Sequence, residues 1–129
     1  MAYEMNGRIT DTYIIKKTLD DFIARFIKDG YSFFDEVSGG RNLLWCNFNQ
    51  ENDKVMPTEE LSSVLSPSDS LVYIYLDRTE ELFLTQFSDI CSYVDELEPW
   101  DEIDAVIFDE TLDWVIAITH EDFSMTIGL

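Results

Sequence analysis

Ile103-Asp104-Ala105-Val106-Ile107-Phe108-Asp109-Glu110-Thr111-Leu112-Asp113-Trp114-Val115-Ile116-Ala117-Ile118-Thr119-His120-Glu121-Asp122-Phe123-Ser124-Met125-Thr126-Ile127 is the stretch that decides the fold class. It holds three β-prone runs: Ile103 to Phe108, Leu112 to Thr119 and Phe123 to Ile127. Three-residue turns separate them, Asp109-Glu110-Thr111 and His120-Glu121-Asp122, and loops of this length join β-hairpins. The stretch therefore predicts an antiparallel meander. Leu112, Trp114, Ile116 and Ile118 share one face of the middle strand, and Val115 and Ala117 partly fill the other. A strand apolar on both faces is central and covered on both sides. Trp114, together with Trp45 and Phe108, is thus expected in the core.

Working upstream, Phe83, Phe87, Ile90, Cys91 and Val94 recur at helical spacing, which predicts a helix from Thr79 that ends at Pro99 at the latest. Leu71 to Leu76 is β-branched and aromatic throughout and reads as a strand. Ser66 to Ser70 is a loop. Pro57 to Leu65 reads as a short helix with Thr58 as a cap, Gln50 to Lys54 as a polar turn, and Asn42 to Asn49 as a strand apolar on both sides. Tyr31, Phe33 and Phe34 lead to a turn at Gly39-Gly40. Leu19, Phe22, Ile23, Phe26 and Ile27 predict a helix capped by Thr18, with Asp20 and Asp21 at its positive end and Gly30 as its stop. Ile9 to Ile15 reads as a short edge strand. Strands interrupted by helices and closing in a meander make an α+β fold. Residues 1–129 are read as a single domain, an antiparallel sheet with a C-terminal three-stranded meander, packed by two or three helices.

The composition agrees with a folded chain. Of 129 residues, 46% are hydrophobic and eighteen are aromatic, whereas disordered chains are poor in such residues. The net charge is −19, beyond the magnitude of about 2–8 that keeps a small domain soluble. It is unevenly placed. Residues 1–78 hold all eight Lys and Arg against thirteen acids, while residues 79–129 hold fourteen acids, no Lys or Arg and the only His. A nucleic-acid-binding domain needs clustered cations, and anionic membranes attract basic segments, so both partner classes are excluded. The charge fits a basic protein partner. Met1 to Asn6 lacks a basic start followed by an apolar run, and the expected location is cytoplasmic. Cys46 and Cys91, two thiols within apolar patterns, are expected buried and in no disulfide or zinc site.

Signals for catalysis are weak. No His-Glu-x-x-His, Cys-x-x-Cys, phosphate loop or nucleophile elbow is present, no cofactor is expected, and His120 is expected to be an exposed turn residue. The meander gives a sharper expectation. The entrance to its first strand and the exit of its second lie at one end of the sheet, where neighbouring strands are ~4.8 Å apart. That rim gathers Asp95, Glu96, Glu98, Asp101, Glu102, Glu121 and Asp122, half of the fourteen acids, with Trp100 and His120 among them. The opposite end has only Asp109 and Glu110, joined by Asp113. Trp100 is either an apolar anchor for a partner or, the reading preferred here, core beneath the rim.

Glu98-Pro99-Trp100-Asp101-Glu102 and the tail Asp113-Trp114-Val115-Ile116-Ala117-Ile118-Thr119-His120-Glu121-Asp122, with the chain's size and charge, resemble the small acidic immunity proteins, or antitoxins, that neutralise bacterial toxins, often nucleases. The Trp- and Gly-rich immunity superfamily with an N-terminal Leu-Pro segment is not matched. The resemblance implies an inhibitor that covers a basic toxin surface in competition with nucleic acid or another substrate, in effect a nucleic-acid mimic. Two other expectations stand beside it. One is a non-catalytic structural or regulatory subunit whose acidity serves solubility. The other is a metal-dependent enzyme using His120 and nearby carboxylates.

Overall fold

Residues 103–127 fold as the meander that their alternation predicts. The computed structural model describes residues 4–29, 43–65, 70–98 and 100–129. In it, β4 (Ala105–Phe108), β5 (Val115–Ile118) and β6 (Phe123–Ile127) pair in antiparallel order, with Ala105 opposite Ile118 and Val115 opposite Ile127. The first two strands are shorter than expected. Leu112 has a φ of 55°, and the Asp109 carboxylate accepts the Thr111 N–H at 3.0 Å and the Trp114 indole N–H at 3.2 Å. The turn therefore runs on to Trp114 before the ladder starts.

Three further strands extend the sheet. They are β1 (Lys54–Pro57), β2 (Leu71–Leu76) and β3 (Glu81–Gln86), and the spatial order is β1-β6-β5-β4-β2-β3. Helix α1 (Thr12–Phe26) covers one face and α2 (Phe87–Asp95) the other. The period of two in the strands sorts side chains between these layers. Ile74, Ile107, Ile116 and Ile118 pack with Phe87 and Ile90 of α2, whereas Tyr75, Val106, Phe108, Val115 and Ala117 pack with Leu19, Phe22 and Phe26 of α1. Every residue of β4 and β5 is buried as a result. Phe108 is core as expected, while Trp45 and Trp114 pack against the two cores half-buried. Leu112 joins the α1 side rather than the face of Trp114. No helix among the described residues is long and apolar enough to cross a membrane.

Several elements differ from expectation for identifiable reasons. Helix α1 starts at Thr12, six residues before Thr18, because the Asp11 carboxylate accepts the N–H groups of Tyr13 and Ile14. Lys16 and Lys17 then reach Asp20 and Asp21 one turn on, at 2.6 and 3.0 Å. Only the residues before the helix touch a sheet edge, where Ile9 N–H and Gly7 C=O hydrogen-bond to β3. Gly7 is required there, since a Cβ would lie 1.9 Å from the Leu84 carbonyl oxygen and φ is +84°.

The helix expected from Thr79 is a strand followed by a shorter helix. Glu80, with φ 58°, closes the β2–β3 hairpin, and α2 begins at Phe87. The stripe was nonetheless a true core stripe, because Phe83, Phe87, Ile90 and Val94 all join one cluster. Asn42 to Asn49 forms no strand in its described part. Leu44–Asn47 is a 3₁₀ turn, and Phe48 makes an isolated bridge to Ile27. Lys54, read as the end of a polar turn, opens β1 instead. Thr58–Ser63 is a 3₁₀ helix in which the Thr58 hydroxyl meets Ser124 at 3.1 Å rather than capping. Cys46 is exposed and Cys91 only half-buried, where burial and then the Asp95 charge push its thiol up to about 11. Gly30, the segment from Tyr31 through Gly39-Gly40, and most of the Ser66–Ser70 loop lie outside the described residues.

Candidate functional site

The rim is assembled by the end of α2, the connection to β4 and the β5–β6 turn. Asp95 is the last residue of α2, and Glu96 follows as its C-cap. Asp101 folds back on Glu98: its N–H donates to the Glu98 carbonyl, and its carboxylate accepts the Glu98 N–H, both at 2.9 Å. Asp122 takes a left-handed φ of 64°, a conformation that Asp tolerates, and its carbonyl accepts the Thr58 N–H at 3.1 Å. That bond brings the Thr58–Ser63 turn onto the rim.

These elements enclose a cleft of about 370 Å³. Val94, Leu97 and Ile103 form its apolar floor. Among the described residues, five carboxylates line it, Glu59, Asp95, Glu98, Asp101 and Asp122, and no Lys or Arg does. Four of the expected rim acids are thus brought together, and Glu59 joins them from the other half of the chain. Glu96, Glu102 and Glu121 are exposed outside the cleft lining. Trp100 is 76% exposed, which overturns the expectation that it is core.

Beside the cleft lies a feature that the sequence reading missed. Asp104 is 1% exposed. An unpaired buried carboxylate costs several kcal/mol, and this one is heavily paired. Its oxygens accept the Trp45 indole N–H at 2.7 Å, the His120 main-chain N–H at 3.2 Å, and a guanidinium N–H of Arg78; His120 Nδ1 lies 2.8 Å away. Burial opposes ionisation of Asp104, but the bonds from His120, Trp45 and Arg78 outweigh it and hold the carboxyl below its ordinary range. Arg78 reaches Glu102 with a second nitrogen at 3.0 Å. The residue signal was present, an acid inside the apolar run Ile103 to Phe108, but its partners come from 16 to 59 positions away.

His120 is therefore not the exposed turn residue expected. It is anchored to Asp104, its ring is 6.0 Å from that of Trp45, and its Nε2 lies 3.9 Å from Glu121. Asp77 shares this corner. It donates its main-chain N–H to the Asp104 carbonyl at 2.8 Å and accepts the Leu44 N–H at 2.6 Å. Burial, the largest influence, pushes the Asp77 carboxyl up to about 6; nearby Asp104 and Glu80 act in the same direction, and the Leu44 N–H and Arg78 oppose them. Among the described residues no group of three or more His, Cys, Asp or Glu is placed to hold a metal ion.

Comparison with protein-family models, curated proteins and solved structures finds no match.

Proposed function

We propose that this chain is an acidic, non-catalytic binding protein, a cytoplasmic immunity protein that neutralises a cognate basic toxin, such as a nuclease, by covering its cationic surface. The observation that supports this reading is the cleft of five carboxylates that no Lys or Arg among the described residues lines, with exposed Trp100 preceding Asp101 in the chain. Its apolar floor suits the methylene stem of a Lys or Arg side chain and its acids suit the charged head. The surrounding charge would steer encounter and raise the on-rate by ~10–10³ at low salt, and Trp100 would supply an apolar anchor. His120, Glu121, Glu96 and Glu102 extend the contact beyond the cleft.

The test is association with the basic partner by stopped flow across ionic strength. Replacing Asp101, Glu102 and Glu121 by Lys is expected to lower the on-rate by about tenfold or more at low salt. An unchanged on-rate with no salt dependence overturns the reading. One observation favours a second reading, the regulatory or structural subunit: Leu71 and Leu84 lie exposed on one sheet face at the β2–β3 edge. Under that reading Leu84→Ser weakens partner binding and the acid replacements do not.

A further inference from the structure

The residues before α1 fasten to the outer edge of β3, and one pair among them carries chemistry of its own. Asn6-Gly7 is the only Asn-Gly pair in the chain. Its flanks are held: the Asn6 main-chain N–H donates to the Asp89 carboxylate, and the Gly7 carbonyl accepts the Leu84 N–H, both at 2.9 Å. Between those bonds both residues are exposed, and none of the described residues offers a hydrogen-bond partner to the Asn6 side-chain amide or to the Gly7 N–H. Glycine has no Cβ to shield its nitrogen. Asn42, Asn47, Asn49 and Asn52 are followed instead by Leu, Phe, Gln and Asp, and the side-chain amides of Asn47 and Asn49 donate to the Leu43 and Arg25 carbonyls.

We propose that Asn6 is a site of spontaneous deamidation and that its conversion unlatches the N-terminal arm from β3. The Gly7 nitrogen attacks Asn6 Cγ and gives up its proton, the bond from Cγ to the side-chain nitrogen breaks, and ammonia leaves a succinimide ring. Water then opens the ring at either carbonyl, to an aspartyl or an isoaspartyl residue, with no oxidant, reductant or cofactor consumed. Both products add a carboxylate next to the Asp89 carboxylate that holds the same residue's N–H, and like charges a few ångströms apart repel. The isoaspartyl form also adds a methylene to the main chain just before Gly7. Gly7 has no slack for it, since its φ is +84° and even a Cβ would lie 1.9 Å from the Leu84 carbonyl oxygen. Release of the arm breaks the Gly7–Leu84 and Ile9–Leu82 bonds and the Arg8–Glu81 pair at 3.5 Å, and withdraws Met5 from the core on the α2 side. It also bares the backbone of an edge strand, a template for pairing with another chain.

This inference is independent of the cationic-partner reading. The experiment incubates the full folded chain in mildly alkaline buffer at body temperature and follows it by peptide mapping, mass spectrometry and an isoaspartyl methyl-acceptor assay. The Asn6 amide is expected to be lost while the other asparagines keep theirs. Asn6→Gln, whose longer side chain closes the corresponding ring far more slowly, is expected to stay intact over the same period. Converted chains are then separated by anion exchange. Their Leu84 and Ile9 amides are expected to exchange hydrogen at least about fivefold faster than in unconverted chains, the worth of one lost hydrogen bond, and trypsin to cut faster after Arg8. Retention of the Asn6 amide in the folded chain overturns the site. Conversion with unchanged exchange at Leu84 and Ile9 overturns the unlatching.

Discussion

The two ends of the C-terminal meander both carry acids, and they use them differently. At the β4–β5 end, the Asp109 carboxylate is taken up by its own turn, through Thr111 and the Trp114 indole. At the other end, Asp95, Glu98, Asp101 and Asp122 line a cleft that no Lys or Arg among the described residues lines, and the buried acid beside them, Asp104, is taken up by the fold. Counting acids at either end therefore says little. What separates a solvated turn from a candidate docking surface is which carboxylates the fold has already satisfied. One end spends its leading acid on local geometry. The other satisfies its buried acid with donors from three distant segments, pairs Asp101 with the Glu98 N–H and Glu102 with Arg78, and gives Asp95, Glu98 and Asp122 to the cleft.

The largest effect that sharpens this contrast is expected from Asp104→Ala. It strips the Trp45 indole, the His120 N–H and Arg78 of a shared partner in a buried setting, and the loss should be about 3 kcal/mol, read as a shift of the denaturant midpoint. The pH dependence has a defined sign. Because Asp104 is held below its ordinary value, its contribution is present above the unfolded value of about 3.9 and is lost as pH falls through the lower folded value. Trp100→Ala comes next: the off-rate of the partner complex should rise about tenfold, with thermal stability unchanged because the side chain is 76% exposed. A fall in stability instead would place Trp100 with the core.

Asp109→Ala is expected to cost about 1 kcal/mol through its lost turn bonds and to leave partner association untouched, measured by denaturation and stopped flow on one preparation. A change in association would erase the distinction between the two ends. The smallest effect concerns Asp77. Its folded value, about 6, is above that of an unfolded Asp, so the folded state gains stability as pH falls through 6 toward the unfolded value, and the ionised form is a burden at pH 7 and above. Asp77→Asn keeps an acceptor for the Leu44 N–H; it should raise the melting temperature at pH 7.5 and flatten its pH profile between pH 7 and 4. A lowered melting temperature at pH 7.5 would contradict the assignment.

How much of this was legible follows from the range of the interactions. Residues 103–127 were readable because strand alternation and short turns are local signals, and they placed Asp95, Glu98, Asp101 and Asp122 at one rim. The α1 and α2 stripes were readable as core, but their element boundaries were not: Asp11 caps seven residues before Thr18, and Phe83 joins the same cluster from a strand as it would from a helix. The Leu44–Asn47 turn was illegible because the Leu44 N–H is answered by the Asp77 side chain, and the Trp45 indole by Asp104, both far along the chain. Glu59 and Arg78 reached the rim only through the sheet order, in which β1 flanks β6 and β2 flanks β4, and no local pattern encodes that order.

The most direct measurement is a matched pair of charge reversals. Asp101→Lys with Asp122→Lys alters the cleft, and Glu110→Lys with Asp113→Lys alters the opposite end, so the net charge changes equally. Association with the basic partner is then timed at low salt for both. The account predicts an on-rate about tenfold lower for the cleft pair and near wild type for the other. Equal losses for the two pairs would mean that total charge, not the cleft, steers the partner, and would contradict it.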